Sequence, residues 1–515
     1  MKFLKALQFA SFVFLLLNQG CSYKTENKGI QIHPEDIISK NIIGNGVQWS
    51  AYPHADSPSA EWGDLMTDEK WQMNYDRLDY MRPNMFRVLD QANWRYITGF
   101  DDEDNPIIDF NTIEIKSLER ILKYAQKNNI KVLLGEWGTP YKFHDLTEGH
   151  GSKYTGTDDP KWINGIVKFL DYLINKRGYT CIQYYNLVNE PNGYWATTEG
   201  SFSSWSKGVQ LLHSELEKHG LLNKVSIAGP DVVAHYDNPK SEYTGPGWVE
   251  ESVKQLDDYL GIYDVHAYTN YELVRSGKFK AFYSKISGYT KKVNKEIFFG
   301  EIGFSPYGDE NKKRIKEDLY ASGDSQMDVY DYSYGVDMAD AAIQIMNAGY
   351  TSAMAWALDD AMHTKGDLGE KNQLKRWGFW NSLGTEICNN PEDENIRPWF
   401  YTWSLMSRYF PNGSNIIKSD STNIDGVRLT VGTKKDDMSI AIVNNSDISQ
   451  SLQINTDKLK HIKNWKKFIY SEKLRPVDEN YFPVPLEKQL KLDNKNSITI
   501  EIPAKSFILY TSFQF

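Results

Sequence analysis

Ile182-Gln183-Tyr184-Tyr185-Asn186-Leu187-Val188-Asn189-Glu190-Pro191 reads as a largely apolar strand that delivers a glutamate at its C-terminal end. Phe298-Phe299-Gly300-Glu301-Ile302-Gly303 is built the same way. Outward from these two, strand-like runs recur at Asn45–Ser50, Met85–Asp90, Lys131–Trp137, Ile182–Glu190, Lys224–Asp231, Ile262–Tyr268, Glu296–Gly303 and Thr351–Leu358. Several are near-continuous apolar runs, as expected of parallel strands covered on both faces. Helical stretches lie between them. Asp159 is a natural N-cap before Pro160; Trp162, Ile163, Ile166, Val167, Leu170, Leu173 and Ile174 follow at helical spacing, and Gly178 closes the run. Met338 to Met346 before Gly349, and Leu118 to Ala125, mark two more. Eight strands alternating with helices predict an α/β fold, a (β/α)8 TIM barrel. A doubly wound sheet is the alternative, but no glycine-rich phosphate loop follows the first strand.

From about Gly413 the rhythm changes. Val427–Lys434, Met438–Asn445, Ser451–Thr456, Lys467–Ser471, Ser497–Ile502 and Phe507–Ser512 alternate apolar and polar residues between Asn-, Asp-, Lys- and Gly-rich turns. That pattern predicts a C-terminal antiparallel β-sandwich. Trp399–Phe410 reads as the last barrel helix, and Gly29–His33 as a strand positioned to complete the sandwich. The expected organisation is a targeting segment over 1–20, a tether and N-terminal strand over 21–40, the barrel over 41–411 and the sandwich over 412–515.

The 515 residues include 68 acidic and 58 basic side chains, a formal charge of −10, which argues against a nucleic-acid partner because phosphate binding needs a basic face. Aromatic residues make up 14%, which suits both a large core and the stacking of flat ligands. At the N-terminus, Lys2 and Lys5 precede an apolar stretch from Leu7 to Leu17, too short to span a bilayer and the right length for an export signal. It runs into Asn18-Gln19-Gly20-Cys21. Cys181 and Cys388 are the other cysteines; the topology sets them near opposite ends of the barrel, against a disulfide. No cysteine or histidine spacing suggests zinc. The acidic run Asp101 to Asn105 lacks the glycine and terminal glutamate of a calcium loop and reads as a solvated turn.

In a barrel of this kind the active site lies at the C-terminal ends of the strands. Strands four and seven therefore bring Glu190 and Glu301 to one mouth. Two facing carboxylates are what glycosidic bond cleavage requires, one protonated to donate to the leaving oxygen and one ionised to attack or to activate water.

The pattern resembles the clan A retaining glycoside hydrolases, the superfamily that includes family 5 cellulases and mannanases; the added sandwich is similar to that of families 30 and 39. The resemblance covers about Ile43 to Leu358. It implies that Glu190 is the acid/base, Glu301 the nucleophile and Asn189 the partner of the sugar 2-hydroxyl. Arg87 matches the arginine of strand two that keeps the nucleophile ionised. In Asp264-Val265-His266-Ala267-Tyr268, Tyr268 would bond the nucleophile and His266 would line the sugar site; Trp356 matches the platform beneath the cleaved sugar. Gln48-Trp49 and Glu136-Trp137 match no one family's sugar-binding set. Cys21 resembles the lipidated cysteine of bacterial lipoproteins, although Asn18 stands where an aliphatic residue is usual.

Placed near Arg87 and Tyr268, Glu301 is expected to have a depressed pKa, whereas Glu190 has no such cation and stays available as an acid. Trp49, Trp137 and Trp195 are candidate stacking platforms or core. Asp231, Asp359 and Asp360 are sugar-hydroxyl partners or, more commonly for such positions, solvated caps. The expected activity is retaining hydrolysis of a β-linked polysaccharide or oligosaccharide, with no cofactor and no metal, by an exported monomer anchored through lipid on Cys21, at the outer membrane or cell surface. Without the lipid it would be periplasmic or secreted. The alternatives are a non-catalytic glycan-binding lipoprotein and a transglycosylase using the same residues.

Overall fold

A computed structural model of the chain describes residues 29–49, 65–90, 92–137, 156–360, 374–459, 462–490 and 497–515. Cys21 and the export segment lie outside the described residues.

Eight parallel strands close into a barrel in sequence order: β1 Gly46–Gln48, β2 Met85–Asp90, β3 Lys131–Glu136, β4 Ile182–Asn186, β5 Ser226–Val233, β6 Ile262–Thr269, β7 Ile297–Phe304 and β8 Ala353–Ala355. Each of the eight runs read from the sequence supplies one strand. The long helices also form where expected. Asp159 caps Pro160–Asp171 by accepting from the Lys161 N–H at 2.8 Å, and Thr112 caps Ile113–Asn128 by accepting from Ile115 at 3.2 Å.

Alternation along the strands sorts side chains into two layers. Met85, Leu133, Ala228, Ile262, Phe298 and Met354 point inward and, with Ile43 and Tyr184, form the barrel floor. Their neighbours Phe86, Val132, Ile227, Tyr263, Phe299 and Ala353 face the helices. Two strands break phase. In β7 the outward series runs Ile297, Phe299, then Ile302, Phe304, and its pairing with β6 slips between Phe299 and Glu301. In β5 the pairing slips between Pro230 and Val232, leaving Asp231 as the extra residue with φ +60°. Each slip is a β-bulge that turns a carboxylate, Glu301 or Asp231, toward the barrel interior.

The sandwich follows as β9 Asn415–Ser419, β10 Val427–Lys434, β11 Asp437–Asn444, β12 Gln450–Asn455, β13 Trp465–Tyr470, β14 Glu487–Leu490, β15 Ser497–Ile502 and β16 Ser506–Thr511. A seven-stranded sheet runs from the N-terminal strand Ile32–Ser39 through β9, β10, β11, β16 and β13 to β14; β12 and β15 form the facing pair. The short strands β9 and β14 were not evident as apolar alternation. The large sheet is covered on both faces. Ile440, Ile442 and Ile508 enter the sandwich core, while Ala441, Val443, Phe507 and Leu509 join the barrel's core.

The junction also carries buried charge. Asp340 on helix Tyr332–Asn347 meets Arg428 of β10 at 2.7 Å and accepts from Asn445 at 3.0 Å. Burial pushes its carboxyl up to about 6, against the pull of Arg428. A carboxyl raised in the folded state stabilises fully below its unfolded value of about 3.9, and that contribution disappears as pH rises through the folded value. Compared with Asp340→Asn, the wild type should therefore lose about 1.4 kcal/mol of stability per pH unit between about pH 4 and 6. Urea unfolding midpoints taken across that range check it; parallel curves would mean that Asp340 does not titrate there.

Cys181 and Cys388 are both free and buried. Asp101 organises its own exposed turn, accepting from the Glu103 and Asn105 N–H groups at 3.0 and 2.8 Å. Among the described residues no helix is long and apolar enough to cross a membrane.

Candidate active site

Above the apolar floor the inward positions turn polar. β2 contributes Arg87, β4 Asn186, and β6 the column Asp264, His266 and Tyr268, which alternation puts on one face of the strand. The two bulges add Asp231 and Glu301. At Gly300 a side chain is excluded, because a Cβ there would lie 2.6 Å from Asp264 Oδ1. Glycine lets the Gly300 N–H donate to that same oxygen at 2.6 Å and so fixes the bulge.

Glu190 follows the end of β4 in the left-handed region, φ +51°, a conformation that costs a non-glycine residue energy and clusters at functional sites. Its Oε2 accepts from Trp195 Nε1 at 2.8 Å and its Oε1 is 2.9 Å from His266 Nδ1. Glu301 accepts from the Tyr268 hydroxyl and from Arg87 Nη1. Arg87 Nη2 donates to Asn189 Oδ1 and Asp231 Oδ2, both at 2.9 Å. His266 stands between the two glutamates, with Nδ1 3.5 Å from Glu301 Oε2 and Nε2 2.9 Å from Asp231 Oδ1. One ligand-type atom from each of Glu190, His266 and Glu301 lies within 4.8 Å of the others. Asp231, Asp264 and His266 form a second such group. The permanently charged Arg87 bonds to both groups, which makes either one inhospitable to a cation.

The electrostatics depart from the sequence expectation at Glu301. Burial pushes its carboxyl above the ordinary range, and the opposing pull of His266, Arg87 and the Tyr268 hydroxyl does not reverse this. The expected depression counted the charged neighbours and left out dehydration. Burial also works against charge on His266, yet Asp231 and Glu301 raise its pKa well above that of a free imidazole. Asp231 is held low, because Arg87 and His266 outweigh the cost of its burial.

An aromatic wall surrounds the carboxylates. Trp356, at 6% exposed, groups with Leu89, Ala357, Trp377, Trp137 and Tyr268; Trp137 and Trp356 are 5.9 Å apart by ring centroid, Tyr268 and Trp377 5.5 Å. Beside Glu190, Trp195 packs against Tyr194 and Tyr236 at 5.0 and 4.8 Å.

Several sequence-based candidates fall elsewhere. Trp49 is not in the cleft. It faces the helix layer and packs against Trp71, Tyr75, Phe86 and Tyr124, because its neighbour Gln48 takes the inward position. Glu136 is likewise outward and buried, accepting from the Ala92 N–H at 3.2 Å. Arg87 and His266 have no exposed side-chain surface, so they act beneath Glu301 and Glu190 and do not line the sugar site. Asp231, Asp359 and Asp360 are not solvated caps: all are buried, and Asp360 pairs with Arg376 and Arg397 and accepts from the Trp377 and Gly378 N–H groups. Trp377, Asn186 and Asp264 were not singled out. Asp264 had a readable signal, two residues before His266 on the same face of an apolar strand.

No curated protein matches the sequence. Residues 155–359 match the family model described as glycosyl hydrolase catalytic core. Among solved structures, a glycoside hydrolase family 30 subfamily 8 xylanase from Clostridium acetobutylicum superposes with TM-score 0.57 at 13% identity, covering 94% of this chain and 99% of that one. A conserved exported protein from Bacteroides fragilis does so with TM-score 0.62 at 14% identity, covering 94% and 100%. A family 39 enzyme from Xanthomonas axonopodis pv. citri gives 0.56 at 9% identity, covering 94% and 96%. The likeness read from the strand ends is thus borne out: residues 155–359 match a glycosyl hydrolase catalytic core, and the barrel-and-sandwich fold is similar to those of family 30 and family 39 glycoside hydrolases.

Proposed function

We propose that the protein is a retaining glycoside hydrolase acting on β-linked polysaccharide or oligosaccharide, with Glu301 as nucleophile and Glu190 as acid/base. The observation that carries this reading is the placement of an oxygen from each carboxylate within 4.8 Å of the other. Retaining enzymes hold their carboxyl groups about 5–5.5 Å apart, whereas inverting enzymes leave about 6.5–9.5 Å for a water.

In the first step a Glu301 oxygen attacks the anomeric carbon, the glycosidic C–O bond breaks, and the Glu190 proton passes to the departing oxygen. In the second, Glu190 takes a proton from water, the water oxygen attacks the same carbon, and the ester to Glu301 breaks. Trp195 and His266 hold the Glu190 carboxyl in place through hydrogen bonds. Asn189, fixed by Arg87, offers its side chain to the sugar 2-hydroxyl. Trp356, Trp377 and Trp137 form the stacking wall for the cleaved sugar, and Tyr194, Trp195 and Tyr236 that for its leaving group. The reaction needs no cofactor. Xylanases and an endo-β1,6-glucanase share the fold, which supports a β-linked polymer as substrate. Export as a monomer anchored by lipid on Cys21 completes the reading.

The test is digestion of a panel of β-linked glycans, with products separated by size and the first-formed anomer identified by proton NMR. Release of the β-anomer supports the proposal, and an oligosaccharide ladder would name the polymer. The α-anomer would overturn the mechanism. Retention on an immobilised glycan without any product would make the protein a binder, and products longer than the substrate a transglycosylase.

The pH profile follows from the sign of the Glu301 shift. The nucleophile must be ionised, so kcat/KM should fall as pH drops through a limb above the free glutamate value of about 4.3. A limb at or below that value would contradict the burial described here.

A further inference from the structure

Beneath the two glutamates lies a carboxyl with no evident task. Asp264 is fully buried on β6, its Oδ1 accepts from the Gly300 N–H at 2.6 Å, and among the described residues no donor reaches its Oδ2. An oxygen of its carboxyl lies within 4.8 Å of one of Asp231. Asp231 has its own partners: Oδ2 accepts from Arg87 at 2.9 Å and Asn186 at 2.6 Å, and Oδ1 faces His266 Nε2 at 2.9 Å. Two carboxylates this close and away from water disfavour ionising together; one proton between them turns the repulsion into a hydrogen bond. Asp231, bonded to a guanidinium and an imidazole, is the partner that stays charged. Asp264, with an orphaned oxygen and no cation bonded to it, is the partner that takes the proton.

We propose that Asp264 is protonated in the working enzyme, donates that proton to Asp231, and thereby serves as the positioning residue that sets His266 between Glu190 and Glu301. The inference rests on the reading of those two glutamates as the catalytic pair. The groups facing His266 are Glu190 from the end of β4, Asp231 from β5, Glu301 from β7, Arg87 from β2, and Asp264 and Tyr268 on its own strand. With Asp264 neutral and Glu190 protonated for its role as acid, Arg87 and His266 are two cations facing two anions, Asp231 and Glu301. An ionised Asp264 would add an uncompensated buried charge, which is expensive. Burial first, and then the charge of Asp231, drive the Asp264 carboxyl far above the ordinary carboxylate range, the same direction as the geometry.

A neutral carboxyl has the shape and bonding pattern of an amide, and this makes the inference testable. In Asp264→Asn, the amide oxygen accepts from Gly300 and the NH2 donates to Asp231. That variant should keep kcat/KM within about threefold of wild type, with an unchanged pH profile. Asp264→Val removes the donor; it should lose about 10–100-fold, as when a supporting partner behind an active-site imidazole is lost, and its pH profile should shift. Infrared spectroscopy at neutral pH provides an arm that needs no substrate. The wild type should show a protonated-carboxyl C=O band that is absent from Asp264→Asn, whether or not Asp264→Val folds. Identical spectra from wild type and Asp264→Asn would overturn the assignment, as would an Asp264→Asn enzyme as impaired as Asp264→Val. If no glycan is cleaved by any form, the infrared band alone decides the site of the proton, and the function fails separately.

Discussion

Glu301→Gln should retain the fold and turn over its glycan at about 10⁻⁴ of the wild-type rate or less, the scale seen when a covalent nucleophile is removed. The amide keeps the shape of the carboxylate; its oxygen can still accept from Arg87, and its NH2 can donate to the Tyr268 hydroxyl oxygen in place of the lost acceptor. The loss should therefore appear in kcat with little change in substrate affinity. Initial rates on the glycan and on an aryl glycoside, alongside urea unfolding curves, separate chemistry from stability. A 2-fluoro glycoside with a good leaving group should glycosylate the wild type on the nucleophile but not the variant, with the adduct located by peptide mass. Adduct formation elsewhere would reassign the nucleophile.

Arg87→Met should carry a large stability penalty. The guanidinium is wholly buried and pairs with Asp231 and Glu301, which are themselves 0% and 4% exposed. Removing it leaves two interior carboxylates to share His266 as their one remaining cation, a loss of about 3–5 kcal/mol. Part of the cost is relieved if Glu301 takes up a proton, so the acid limb of the residual activity should move to higher pH. Arg87→Lys should recover part of the stability, because it restores the charge without the geometry that lets one guanidinium reach Glu301, Asn189 and Asp231 together. An Arg87→Met protein as stable as wild type would show that the carboxyls are not charged in the folded state.

Much of this architecture is legible in the residues. The eight strands could be read because apolar runs covered on both faces stand apart from helical spacing, and Glu190 because it ends such a run. The inward direction of Glu301 could not be read from alternation. Phe298 and Gly300 take the inward phase, so strict alternation would send Glu301 outward, and only the bulge reverses it. The resemblance supplied what periodicity withheld. Trp49 failed for the opposite reason: β1 has no bulge, and the residue after the inward Gln48 must face the helices. Asp359 and Asp360 looked like loop charges because Arg376 and Arg397, which bury Asp360, are distant in sequence. The same limit applied to Glu301, whose charged neighbours were visible in the sequence while the depth of its burial was not.

The bulges at Asp231 and Gly300 also bear on how this protein can lose its activity. Each is one surplus residue in an otherwise continuous ladder. Deleting Gly300 would restore regular pairing between β6 and β7 and leave Glu301 on the inward phase opposite His266, while removing the N–H that bonds Asp264 Oδ1. A codon lost in frame there would therefore spare the direction of the nucleophile and strike the support beneath it.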